Sequence, residues 1–119
     1  MIAHLRISLG VLLTAMALAI LPAAQQAAMA ADEVEVTISI KDHKFEPAEV
    51  KVPAGKAIKI TVKNLDSTPE EFESKPLKIE KVIAGKSSAV IRVKPLAKGT
   101  YKFFGEYNEK TAQGVIIAE

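Results

Sequence analysis

From Val34 onward, apolar residues return at every second position. In VEVTISI, Val34, Val36, Ile38 and Ile40 fall on one side, and Glu35, Thr37 and Ser39 on the other. In IKITVKN, Ile58, Ile60 and Val62 alternate with Lys59, Thr61 and Lys63. A helix needs its apolar residues three and four apart, whereas a strand turns successive side chains to opposite faces, so a period of two selects β structure. The alternation recurs in AEVKV, LKIEKVI, SAVIRV and GTYKFF, with PAGK, AGK and AKG as turns between them. Strands of this length at intervals of about ten residues predict an all-β fold, a Greek-key antiparallel β-sandwich of roughly seven or eight strands. QGVIIAE is expected to close the chain as an apolar edge strand.

A different kind of segment precedes these strands. MIAHLR is a short basic start, ISLGVLLTAMALAILPAA carries no charge, and Ala28 and Ala30 form a small-x-small pair ahead of ADEVE. That is the pattern of a cleavable export signal. Pro22 and the site at Ala30 argue against retention of the run as a membrane anchor. The expected organisation is a signal peptide over residues 1–30 and one domain over 31–119, placed in the periplasm. The formal charge is +2 with no basic block, which argues against a nucleic-acid partner. There is no cysteine, hence no disulfide and no thiolate ligand, and the core must hold the domain unaided. Hydrolase and phosphoryl-transfer chemistry find no support, since no G-x-S-x-G, zinc pair or phosphate loop occurs.

Two segments carry a family resemblance. FEPAEVKVPAGKAIKITVKNLD resembles the F-x-P…V-x-x-G…N-x-D opening of the cupredoxins, and GTYKFF followed by QG is similar to their G-x-Y-x-F-x-C…H…M-G ending. The resemblance implies a cupredoxin-like sandwich over essentially the whole of residues 31–119. Blue-copper members use two histidines, a cysteine and a weak axial methionine, donors suited to copper that shuttles between Cu(I) and Cu(II). Carried over by position, the first histidine falls on Glu70 in STPEEF and the cysteine on Gly105. The second histidine falls on or near Asn108, and the methionine on Gln113 before Gly114. None of the four ligands is present, so blue-copper electron transfer is not expected. Within the family, DHKFEP, TPEEFES and FFGEYNEKTAQG look like the exported, cysteine-poor cupredoxins encoded with bacterial ferrous-iron permeases. That likeness implies handling or oxidation of Fe(II), with copper as a redox partner. It also implies an inner-membrane iron permease and other periplasmic iron-uptake components as partners.

Oxygen donors favour hard ions, so this chain is expected to suit Fe(III), Cu(II) or Mn(II) better than Cu(I). The candidate metal ligands are His43, Glu70, Glu71, Glu73, Glu106 and Glu109, holding copper and/or iron in a non-blue site. Each has an ordinary alternative. The three glutamates of PEEFES would otherwise be a solvated strand end balanced by Lys75, Lys78 and Lys81. If Phe72 points inward, alternation puts Glu70 on its face and Glu71 and Glu73 on the other, so the three would not all bind one ion. Acids that converge with no lysine between them need a cation or a proton. His43 would otherwise be an exposed loop histidine, and Glu106 and Glu109 simple turn polarity. Tyr107 is expected to pack rather than relay electrons. Phe45, Phe72, Tyr101, Phe103 and Phe104 are expected in or near the core, and Gly105 and Gly114 where the backbone closes tightly.

Two functions follow. One is a periplasmic metal-binding protein that assists ferrous-iron oxidation, as a ferroxidase-like activity, or iron delivery to the permease. The other is a metal-free β-sandwich adaptor docking on a permease or another periplasmic protein, which an exposed apolar patch beside the acidic loops would favour.

Overall fold

The alternating segments become nine strands: β1 (Val34–Lys41), β2 (Lys44–Glu46), β3 (Glu49–Val52), β4 (Ile58–Asn64), β5 (Glu70–Ser74), β6 (Ile79–Ile83), β7 (Ser88–Val93), β8 (Gly99–Gly105) and β9 (Gln113–Ala118). A 3-10 turn over Glu106–Asn108 follows β8. The computed structural model describes residues 33–119, and the signal peptide expected over 1–30 lies outside the described residues. Among the described residues no helix is long and apolar enough to cross a membrane.

The strands form two facing sheets, ordered β2-β1-β4-β7 and β3-β9-β8-β5-β6. Pairing is mostly antiparallel, but β1 runs parallel to β4 and β3 parallel to β9. Both sheets are therefore mixed. The cause is the Greek-key path: β3 and β4 are consecutive yet lie in different sheets, so each meets a strand distant in sequence. The same crossover corrects one expectation. β9 is not an edge strand but lies between β3 and β8, pairing Val115 to Ala118 with Glu49 to Val52 on one side and Gln113 to Ala118 with Gly99 to Phe104 on the other.

Inward-facing members of the alternating sets fill the space between the sheets. Ile38, Ile40, Ile60, Val62, Phe72, Phe103 and Ile116 are at most 1% exposed. Three rings meet at the centre: Phe72 stacks on Phe103 with centroids 4.8 Å apart, and Phe45 stands edge-on to both at 5.7 and 5.1 Å. Burial of each ring contributes about 2–3 kcal/mol, and such aromatic pairs add about 1 kcal/mol. Phe104 departs from expectation. One residue out of phase with Phe103, it points to the outer face of its sheet, half-buried, with the Lys75 ammonium 5.8 Å from its centroid.

The loop-bearing end is fixed by two residues of the NLD motif. Asn64, 1% exposed, donates Nδ2 to the Thr68 and Ile83 carbonyls at 2.8 and 3.1 Å. Asp66 reaches the β1–β2 hairpin, where Lys41 pairs with Lys44 across a two-residue turn. Both central residues, Asp42 and His43, have positive φ (51° and 59°), as a type I′ turn requires. Their N–H groups donate to the Asp66 carboxylate at 2.9 and 3.0 Å. These bonds, that of His43 foremost, hold the Asp66 carboxyl below its ordinary range.

Candidate metal centre

β5 has one face in the core and one outside. Glu70, Phe72 and Ser74 point inward and are at most 1% exposed, which leaves Glu71 and Glu73 on the outer face. Strand register then gathers further acids around these two. β6 sets Glu80 directly opposite Glu73, and Val82 opposite Glu71. On the other side Phe72 pairs with Gly105, so the next residue, Glu106, comes up against Glu71 as the chain enters the 3-10 turn. One carboxylate oxygen from each of Glu71, Glu73, Glu80 and Glu106 lies within 4.8 Å of the other three.

Among the described residues no lysine, arginine or histidine forms an ion pair with these four acids, and the Lys75 charge opposes the rise of the Glu73 carboxyl only as the last of its causes. The ion pairs found among the described residues, His43–Asp66, Lys59–Glu35 and Arg92–Glu33, lie elsewhere. Lys81 stands opposite Phe72 and so has the opposite parity to Glu80, and Lys75 covers Phe104. Glu71 is 7% exposed, and its Oε1 is buried with no hydrogen-bond partner. Burial, then contact with the Glu106 and Glu80 carboxylates, pushes the Glu71 carboxyl up to about 7. Burial and the Glu106 charge raise Glu73 as well. Ionised carboxylates only accept hydrogen bonds, so a proton or a bound ion would relieve the buried Glu71, whereas Glu80 and Glu106 are exposed to solvent.

The expected ligands thus divide. Glu71, Glu73 and Glu106 come together as a set, and Glu80 joins them. The signal for Glu80 was the hairpin itself: a four-residue loop from Lys75 to Lys78 pairs Ser74 with Ile79, and therefore Glu73 with Glu80. His43, Glu70 and Glu109 do not join. His43 lies at the same end of the molecule, beside a cleft lined by Glu106 to Thr111, but its ring turns to Asp66 with Nδ1 3.7 Å from Oδ2. Glu109 lends its backbone carbonyl to Gln113 Nε2 at 2.6 Å. Glu70 faces inward, with both carboxylate oxygens engaged by donors. Tyr107 does not pack inside, being 51% exposed.

Of the four positions expected to match blue-copper ligands, Glu70, Gly105 and Asn108 converge, though without room for copper, while Gln113 is exposed and donates to the Glu109 carbonyl. Glu70 Oε2 accepts from Asn108 Nδ2 at 2.6 Å, and a Cβ added to Gly105 would stand 2.7 Å from both Glu70 Cδ and Ala112 Cβ. Carboxylate, amide and alanine methyl fill the space. With neither sulfur nor imidazole there, these residues do not fit a blue-copper ion.

The sequence profile of the cupredoxin-like domain matches residues 11–118. The chain belongs to the cupredoxin-like family. An uncharacterized protein of Rickettsia prowazekii (strain Madrid E) is 46% identical to this cupredoxin-like chain over 84 residues, covering 71% of this chain and 67% of that one. Among solved structures, auracyanin A, a "blue" copper protein from Chloroflexus aurantiacus, superposes with a TM-score of 0.64 at 16% identity, covering 73% of this chain and 99% of that one. The metal-binding domain of the Cu(I)-exporting P-type ATPase CopA of Streptococcus pneumoniae D39, with Cu(I), superposes with a TM-score of 0.64 at 19% identity, covering 74% and 87%. At these identities the likeness is one of fold.

Proposed function

We propose that this cupredoxin-like protein binds a hard, highly charged metal ion, iron and/or Cu(II), through Glu71, Glu73, Glu80 and Glu106. In the periplasm it assists the oxidation of ferrous iron or its delivery to an inner-membrane iron permease. The observation that carries the reading is Glu71 Oε1, a buried acceptor with no donor, set among three other carboxylates. A multivalent cation supplies what that oxygen lacks and cancels the repulsion at once. Oxygen donors hold Fe(III) more strongly than Fe(II), which is the direction of ferrous oxidation. The export motif at residues 1–30 and the likeness of DHKFEP, TPEEFES and FFGEYNEKTAQG to iron-permease cupredoxins support the location and the partner. The adaptor reading finds less support. The large apolar side chains most exposed among the described residues, Leu65, Val82, Val90 and Tyr107, are divided between the two sheets and two loops.

Titration of residues 31–119 with Cu(II), Fe(II) and Fe(III) tests the proposal. Binding well below millimolar is expected, weakened at least about tenfold by Glu71→Gln with Glu73→Gln. No binding tighter than millimolar, or binding indifferent to both substitutions, overturns it.

A further inference from the structure

We infer that Glu70, which stands where the family places its first copper-binding histidine, is a positioning residue. From inside the core it holds Glu71 and Glu106 in place for the cluster. This rests on the metal reading of that cluster and assigns Glu70 a task other than ligation.

Glu70 is 1% exposed. Its Oε1 accepts from the backbone N–H of Glu71 and from that of Tyr107, both at 2.9 Å, and its Oε2 accepts from Asn108 Nδ2 at 2.6 Å. One carboxylate therefore grips the strand that carries Glu71 and the turn that carries Glu106. The far end of the turn closes on itself: Ala112 N–H donates to the Asn108 carbonyl at 2.8 Å, and Gly105 N–H to the Ala112 carbonyl at 2.9 Å. At the near end, the side-chain bonds from the sheet into residues 106–108 are those of Glu70, among the described residues. A 3-10 turn of three residues has little stability of its own, so its placement depends on such tethers. Gly105 completes the device. Any side chain there would collide with Glu70 Cδ at 2.7 Å, so the missing Cβ is what lets the carboxylate reach the turn.

The arrangement separates tether from charge. In Glu70→Gln, the amide oxygen still accepts both N–H groups, and the new NH2 meets Asn108 once that side-chain amide rotates to present its oxygen. Glu70→Leu removes all three bonds.

Two measurements test this. In metal-free protein, amide exchange at residues 106–108 is expected to quicken about tenfold or more in Glu70→Leu and to stay near the wild-type rate in Glu70→Gln. With Tb(III) as a hard-ion probe, Glu70→Leu is expected to bind as weakly as Glu106→Gln, the double variant no more weakly than either, and Glu70→Gln like wild type. Wild-type exchange and affinity in Glu70→Leu overturn the inference. Equal damage from Gln and Leu also overturns it, because the charge and not the tether would then matter. If Glu70→Leu does not fold, Asn108→Ala removes one tether: faster exchange at 106–108 supports the inference and unchanged exchange overturns it. A wild-type protein that binds no Tb(III) below millimolar refutes the metal reading and the positioning of ligands with it. The exchange result would still show whether Glu70 orders the turn.

Discussion

Raising the pH from 5 to 8 should loosen the metal-free protein, and Glu71→Gln should abolish most of the effect. The Glu71 carboxyl titrates near 4.5 in an unfolded chain and at about 7 in the folded one, first because it is buried and then because Glu106 and Glu80 crowd it. Between those values the folded state holds a proton that the unfolded state has released. Stability contributed by the neutral acid is thus complete below 4.5 and lost as pH rises through about 7. Within that window the unfolding constant rises with pH, by at most about tenfold per unit for the one proton released. Glu73, raised for similar reasons, acts in the same sense. Gln at position 71 is neutral throughout, and its NH2 can donate to either neighbouring carboxylate. Urea unfolding at pH 5, 6, 7 and 8 measures the effect. The wild-type midpoint should fall across the series while that of Glu71→Gln stays nearly level, with similar slopes for the two proteins. Asp66 does not enter, because its carboxyl is held below 3.8 and titrates outside the window. Parallel pH profiles for the two proteins would refute the picture of a proton trapped among the four acids.

Three other outcomes follow from the packing. Gly114→Ala should cost about 1–3 kcal/mol in chemical denaturation, because the added Cβ would sit 2.2 Å from Phe103 Cζ and 2.9 Å from the Ala48 carbonyl oxygen. Asp66→Ala should cost about 1–2 kcal/mol at pH 7 by freeing the Asp42 and His43 N–H groups. Because the Asp66 carboxyl is held below 3.8, its contribution is present above that value and fades below it, so acid titration should show mutant and wild type converging. Asn64→Leu should cost about 2–3 kcal/mol by orphaning the buried Ile83 carbonyl and the Thr68 carbonyl, and hydrogen exchange should quicken first in the loop after β4.

Parity was legible in the sequence, and the pairing of strands distant along the chain was not. A period of two is local, so VEVTISI and IKITVKN announce their buried faces without reference to any other strand. PEEFES likewise announces that Glu70 shares a side with Phe72, and Glu71 and Glu73 the other. Two strand glycines also left marks: Gly105 and Gly114 both sit where no side chain fits. His43 was less transparent. Its place in DHKFEP near the loop end is correct, but only the type I′ turn and Asp66 show its ring drawn away from the acids.

Taken alone, the sequence determined the strands, their buried faces and the absence of any sulfur ligand, because each is a property of residue type and neighbouring positions. Tertiary structure decided which strands lie side by side. That choice made β9 an inner strand, brought Glu106 to Glu71 and Glu73, and set the 3-10 turn against the inward-facing Glu70. Crossovers between sheets set these neighbours, and a crossover is a decision about where apolar faces meet in space, which no short stretch of chain encodes.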